Sequence, residues 1–590
     1  MCRARLGKSS QDAAAVVYWQ GAVTRSPALP LQNHPFTLLS FKFLKLYDWQ
    51  VLSHRIEGSH AVNSSIAAPR RSGPSLICYL GLSLALGVFA GGAAAQVDFE
   101  RYEIVTGVAE RQTVLTGFLL GNDLAELVVV NGARNRVRWA RVFSLGEGEW
   151  TETRTAPVRS RVQFLDVTNV GGDECLLAYE SGELGCIDLE SGAVRAIARE
   201  RLGVQPSRDG DIPHVDVTRD INGDLRDDLL VPGVSGFSVA VQDTDGSFAK
   251  PVALDSATIS NSSFGGGGYR YDPWSWSGIR EVDYNGDGRR DLLFWNGNHF
   301  AVHLQEKDGC FDPNPETFTS RVAFDTDDSA FLAAPMQVRG RRADGLVKGA
   351  MSGRVLHSIE DMNGDEVPDL VVFSLKGGDS DLFGQTSELW DMRFGLHVHF
   401  GSREPGGLAF ATEPGAELLA EGIPFGVEIH DFDGDGLKDV MITRIKPGIF
   451  KSIGMIVGAV VTQSVSFDLD FYRMEDGAYP EKQDRRLKLR TMSMGGSGEQ
   501  AAFFPPLLIG DFNGDGRSDL LMGWGRDELR VYAGVEGSGL FERRPQKIRV
   551  DVPGEEFAWL TDLGGDGKDD VVMHHISADG PNRVTLLVAR

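Results

Sequence analysis

Cysteine is scarce in this chain of 590 residues: there are five, at Cys2, Cys78, Cys175, Cys186 and Cys310, with no C-x-x-C pair among them. A zinc ribbon and a thioredoxin-like redox motif are therefore excluded. Basic charge is also in deficit. The first 95 residues hold nine Lys and Arg against three Asp and Glu, leaving 50 against 80 in the rest of a chain whose net charge is −24. A body this acidic repels nucleic acid and anionic lipid and draws cations, so no nucleic-acid partner is expected. No long hydrophobic run is present either. The longest, 76–90, is short and broken by glycine, and no membrane span is expected in the mature chain. G-x-S-x-G, H-E-x-x-H and P-loop motifs are all missing, which leaves no recognisable catalytic signature.

What is there in quantity is glycine, 71 residues, within a composition that is 42% hydrophobic and 24% charged. That balance allows a packed core and favours many tight turns over long helices. The N-terminal region reads separately from the rest. Arg70 and Arg71 precede the apolar run, and Ala93, Ala94 and Ala95 follow it ahead of Gln96. A basic stretch, a short apolar stretch and an A-x-A site describe a secretory signal peptide over 62–95, and hence an exported protein of periplasm, cell surface or medium. Residues 1–61 show no periodicity, and no methionine lies between Met1 and Met336. They are expected to be a mis-annotated upstream or disordered segment, with translation starting at Val62. In an oxidising compartment Cys175 and Cys186, flanking a hairpin, could form a disulfide; buried inert thiols are the alternative.

From residue 96 onward one nine-residue acidic pattern recurs. Its clearest copies offer oxygen ligands at Asp283, Asn285, Asp287 and Asp291, at Asp431, Asp433, Asp435 and Asp439, and at Asp511, Asn513, Asp515 and Asp519. Two copies keep the acids but lose the second glycine, to Leu225 and Glu366: Asp220, Asn222, Asp224 and Asp228, and Asp361, Asn363, Asp365 and Asp369. A sixth has Asp562, Asp566 and Asp570, with Gly564 at the third position. Two worn copies come first. The one at 166–174 has Val170 in place of its central carboxylate, and the one at 118–126 keeps only the closing acid, Glu126. Oxygens at the first, third and fifth positions can surround one point if the chain turns sharply, and a sixth-position glycine supplies the positive φ for that turn. A seventh-position carbonyl and a ninth-position carboxylate complete the six to eight oxygens that calcium takes.

An EF-hand would need a glutamate at position twelve, but Phe294, Ile442 and Met522 stand there and begin apolar strands. Residues 292–295 run to the turn pair Asn296-Gly297, and 299–304 return. Return strands recur at 237–241 and 529–532, and Gly-x-Phe turns at Gly246, Gly309 and Gly539. Each unit is thus strand, acidic loop, strand, hairpin, strand, turn, strand: a four-stranded meander.

With this loop and this strand pattern, residues 97–590 resemble the FG-GAP/VCBS repeat family. The resemblance implies a β-propeller with one blade per repeat, calcium held between the first two strands of a blade, and metal ligands at the acidic positions named above. Eight loops predict eight blades; seven, with one unit displaced, is the alternative. Residues 99–105 resemble 541–548, and the last unit ends after three strands. The N-terminal strand is therefore expected to supply the missing fourth strand and close the ring.

Insertions are expected near 262–277 and 445–500. In the first, Tyr269, Tyr271, Trp274 and Trp276 form either a sugar-stacking platform or packing between blades. In the second, 449–463 reads as a helix folded on the propeller, or else a membrane-surface or partner helix, and is followed by a strand at 465–471. His397 and His399 share one strand face without a third metal ligand in view. The function this supports is a monomeric, non-catalytic ligand-binding or adhesion scaffold for an extracellular protein or glycan. The alternative is a calcium-dependent polysaccharide lyase.

Overall fold

The computed structural model describes residues 97–108, 112–131, 138–201, 212–232, 236–254, 279–324, 326–327, 352–376, 393–445, 464–493, 502–577 and 580–590. The export segment, the four aromatic residues from Tyr269 to Trp276 and the expected helix at 449–463 lie outside them.

Each repeat folds as the meander its pattern dictates, and the meanders form an eight-bladed β-propeller of four-stranded antiparallel sheets. Blade 1 comprises Gln112–Gly117, Glu126–Asn131, Arg138–Gly146 and Glu149–Val158. Blade 2 runs from Val162–Val170 to Val194–Arg199, blade 3 from Thr218–Arg219 to Val252–Leu254, and blade 4 from Arg280–Val282 to Glu316–Phe318. Blade 5 uses Ser352–Glu360, Asp369–Lys376, Arg393–His399 and Ala416–Glu421, with the short Thr326–Asp327 added in parallel. Blade 6 uses Ile423–His430, Asp439–Ile445, Ser464–Tyr472 and Arg485–Ser493, with Ala502–Phe503 as a fifth strand. Blade 7 runs from Leu507–Gly510 to Gln546–Arg549. Much of the segment expected as an insertion at 445–500 is therefore the outer half of blade 6. The alternation of Val465, Phe467, Leu469 and Phe471 belongs to the blade itself.

The second strands explain why the blades stack. Glu126–Asn131 buries successive side chains on both faces: Leu127 and Val129 join one apolar cluster, Val128 and Val130 the next. A strand with both faces covered reads as a continuous apolar run, and those of blades 3, 4 and 7 read likewise. Eight clusters of this kind occur, one at each junction between successive blades. The ring has no free face, because Ile104, Val114, Leu127, Val572 and Leu586 pack blade 8 against blade 1.

Blade 8 is built from both ends of the ring. Ala558–Thr561, Asp570–His575 and Asn582–Ala589 supply three strands, and Phe99–Gly107 pairs antiparallel with the last, from Phe99 opposite Ala589 to Gly107 opposite Asn582. Arg590 donates its backbone N–H to the Asp98 carbonyl (2.8 Å) and its guanidinium to Glu100. Gln546 Nε2 reaches the Val97 carbonyl (2.7 Å), tying blade 7 to the same strand. In blade 2, Cys175 and Cys186 form a disulfide across the hairpin, with Cα atoms 5.6 Å apart.

Deleting residues 97–107 removes this strand, its ladder of backbone hydrogen bonds and the burial of Ile104. Loss of on the order of several kcal/mol is expected, with aggregation through the unpaired edge at 582–589. Thermal melts and light scattering check this. A deletion variant that stays monomeric with an unchanged melt would contradict the closure.

Candidate functional site

The acidic loops all occupy one place in the blade, between its first and second strands, and the same local bonds shape them. In the loop at 283, Asp283 Oδ1 accepts the backbone N–H groups of Gly286 (2.7 Å) and Asp287 (3.0 Å), and Oδ2 that of Gly288 (3.1 Å). Asp220, Asp361, Asp431 and Asp511 repeat this on their own loops. Asp562 accepts from Asp566 and Gly567. The turn requires positive φ at the sixth position: Gly288 sits at 79° and Gly516 at 79°, while Leu225 and Glu366 are held at 65° and 63°. Loss of the second glycine thus strains two loops without changing their course.

The ninth-position acid is buried and has a different task. Asp291 Oδ2 accepts from Tyr284 N (3.0 Å), inside the loop, and Oδ1 from Gln305 N (2.8 Å), beyond the third strand. Asp369 joins Met362 to Gly401, Asp439 joins Phe432 to Met474, Asp519 joins Phe512 to Gly534, and Asp570 joins Leu563 to Ala589. Asp228 accepts from Gln242 N (2.8 Å). Burial pushes Asp291, Asp369, Asp519 and Asp570 up to about 6, and Asp228 and Asp439 to about 7. Neighbouring loop carboxylates add to the shift, which is the repulsion a cation would relieve.

The loop at 431 gathers its acids most closely, because its third position is an aspartate. One oxygen from each of Asp431, Asp433 and Asp439 lies within 4.8 Å of the others. The Oδ1 atom of Asp433 is buried with no hydrogen-bond donor, and burial followed by Asp435 raises its pKa. An orphaned anionic oxygen beside two other carboxylates fits a hard cation that takes only oxygen ligands. At 222, 285, 363 and 513 asparagine holds the third position, so those loops carry one fewer charge. In three loops a seventh-position arginine folds back on the fifth-position acid: Arg226 on Asp224, Arg289 on Asp287, Arg517 on Asp515. At 431 that place is Leu437, and Arg473 from the hairpin reaches Asp433 (3.2 Å) and, at longer range, Asp435 (3.7 Å).

The worn copies have become structural. Glu126 accepts from Leu119 N (2.7 Å) and Leu120 N (3.0 Å), so it still closes its loop, though both donors lie within the loop. Asp166 lies within a strand rather than a loop, and Glu174 reaches across to Phe118 N of blade 1 (2.6 Å). His397 is occupied by Ser374 Oγ (2.7 Å) and Glu417 (2.9 Å), and His399 by the Ala411 carbonyl (2.9 Å). Neither shares a metal-ligating cluster among the described residues.

One contact had no sequence signal. Blade 5 carries an extra hairpin, Gly401–Glu404 with Gly407–Phe410, whose Arg403 donates to the Asp283 carbonyl (2.8 Å) and pairs with its carboxylate (3.3 Å). Gly407 lies so close over the Tyr284 ring that a Cβ would fall 2.1 Å from its Cζ. Only glycine fits there.

The class these features define is an eight-bladed propeller with acidic loops at the ends of its innermost strands, and none of the helices among the described residues is long and apolar enough to cross a membrane. No protein-family model and no curated protein matches the sequence. Similar solved structures include an Agrocybe aegerita lectin that recognises non-reducing terminal N-acetylglucosamine, 16% identical, covering 72% of this chain and 90% of that one, TM-score 0.33. The V. cholerae biofilm matrix protein Bap1 is 12% identical over 84% of this chain and 92% of that one, TM-score 0.28. A putative 6-phosphogluconolactonase from Bacteroides uniformis is 12% identical over 77% and 98%, TM-score 0.28. At these scores none of the likenesses carries an argument; the fold rests on the strand pairing itself.

The buried acids fix the sign of a pH effect in metal-free protein. With folded pKa values of about 6 to 7 against an ordinary 3.8, they bind more protons folded than unfolded, so their contribution to stability grows as pH falls towards 4 and is lost as pH rises through 7. His357, His574 and His575 oppose this, since burial pushes each down from 6.5 to about 4. Six acids outweigh three imidazoles shifted by a similar amount. In excess chelator the melting temperature is expected to be higher near pH 5.5 than near pH 8, as scanning calorimetry can measure. The reverse slope would show that the closing carboxylates are ionised in the fold.

Proposed function

We propose that the chain is an exported, calcium-binding propeller of the FG-GAP/VCBS type, acting as a ligand-binding or adhesion scaffold. The observation that carries the reading is the gathering of Asp431, Asp433 and Asp439 around an orphaned buried oxygen, in a loop whose shape five others repeat. Calcium supplies the counter-charge that lets buried acids stay ionised at neutral pH. The rigid ring then presents its loops to an extracellular protein or glycan. Support for export is the segment 62–95, and the disulfide in blade 2 suits an oxidising compartment.

A second reading, a calcium-dependent polysaccharide lyase, is favoured by one observation. His430 ends the innermost strand of blade 6 directly before Asp431, with its Nε2 3.8 Å from Glu428. That is a base beside an acidic loop. A glycan array and an assay for unsaturated products from acidic polysaccharides separate the two: glycan retention without product supports the scaffold, while product lost in His430→Ala supports the lyase.

Calcium at a hundredfold excess over its dissociation constant should stabilise the fold by about 2.7 kcal/mol per independent site. Chelation should therefore lower the melting temperature clearly, and an unchanged melt after verified metal removal would sink the calcium reading. The loops should also differ. Asp287→Ala, Asp435→Ala and Asp515→Ala should each remove about one bound calcium by metal counting. Asp123→Ala, in the worn loop, should remove none.

A further inference from the structure

The innermost strands of blades 8, 1, 2 and 3 enclose a cavity of about 240 Å³ that none of the acidic loops enters. One wall is apolar and partly aromatic, formed by Phe557 and Trp559 with Val114 and Val167. The rest of the lining is largely polar. Asp166 holds His214 there, with Nε2 2.9 Å from Oδ1, while its Oδ2 accepts from Val217 N (2.8 Å) and Thr218 Oγ1 (3.1 Å). Asp166 is itself buried, so the imidazole is set in place from behind. At the rim, Thr116 and Thr561 meet hydroxyl to hydroxyl across the seam between blades 1 and 8 (3.4 Å).

We propose that this axial cavity is a binding site for an uncharged monosaccharide. Asp166, Asp216 and Glu556 line it with His214 and His574, and no Lys or Arg does so among the described residues, so the carboxylates disfavour an anionic ligand. Carboxylates accept hydrogen bonds and the threonine hydroxyls can do both, which calls for a ligand rich in hydroxyl donors. A flat aromatic wall calls for one apolar face on that ligand. A pyranose ring combines the two: C–H groups on its faces and hydroxyls round its rim. The volume falls below the roughly 300–1,000 Å³ of pockets that take drug-sized molecules, so one ring fits rather than a chain segment. Asp166, Asp216 and Glu556 share no metal-ligating cluster, which distinguishes the cavity from the loop at 431.

The inference deepens the scaffold reading by naming the chemistry of one ligand, and it rests on that reading only for the protein being a binder. The test is saturation-transfer NMR and calorimetry on the full chain. The probes are neutral hexoses and N-acetylhexosamines, with uronic acids and choline as charged counterparts. At least one neutral sugar should bind saturably, and Trp559→Ala should weaken it at least tenfold. Because Trp559 also packs against the blade 8–1 core, Asp216→Asn is the second variant. It keeps the shape and, measured well below its own melting temperature, should still weaken binding about tenfold, or 1.4 kcal/mol. Binding of no neutral sugar, binding of the charged probes alone, or equal binding by wild type and Asp216→Asn would overturn the proposal. A glycan retained on the array by both variants would overturn this site while leaving the scaffold intact, and a chelator-insensitive melt would overturn the calcium reading while leaving the cavity untouched.

Discussion

Every blade but the second depends on one buried carboxylate that begins its second strand. Asp291, Asp369, Asp439 and Asp519 each accept one backbone N–H from the second residue of the loop and another from just beyond the third strand, and Asp570 accepts from Leu563 and from Ala589, the last residue of its third strand. One side chain thus fixes the first turn of the meander against the end of its hairpin. Charge-assisted bonds to a buried acceptor are about twice as strong as neutral ones, and removing the acid would leave two buried N–H groups unmet. The worn loop of blade 1 shows which part of the motif the fold needs most: its other ligands are gone, yet Glu126 still gathers Leu119 and Leu120.

That division of labour explains how the loops can vary while the blade does not. The first-position aspartate shapes the turn by accepting two to four N–H groups, and the ninth anchors it. The third and fifth positions are left for charge. Where the fifth acid meets Arg226, Arg289 or Arg517, the loop holds its own counter-ion. At 431 the counter-ion, Arg473, comes from a different strand segment, and the gathered acids include one oxygen with no donor at all. Electrostatic demand therefore differs between loops of nearly identical backbone.

Much of this was legible in the sequence because the motif is local. The spacing of Asp283, Asp287 and Asp291 places loop, turn and strand within nine residues, and the likeness of 99–105 to 541–548 revealed the closing strand. Features built from distant residues were not legible. The hairpin at 401–410 that clamps Asp283 breaks the repeat rather than following it. Asp166 read as the first ligand of a decayed loop, whereas the strand runs on through Val170 and turns its carboxylate toward His214. The axial cavity draws on residues from Val114 to His574 and carries no motif, since no short stretch supplies more than a few of its walls.

The pairing of Phe99–Gly107 with Asn582–Ala589 joins residues up to 490 positions apart, Phe99 facing Ala589. Synthesis proceeds at about 5–20 residues per second, so the first strand made waits roughly half a minute to a minute and a half for its partner. Until then the ring is an arc, its two terminal blades unjoined and the seam where Thr116 meets Thr561 not yet formed. Seven blades each draw all four core strands from one stretch of chain, but the eighth is a lock that needs strands from both ends of the ring. A chain lacking either partner strand would therefore be left as an open arc with an unpaired edge, and the ring holds its axis only while those two strands stay joined.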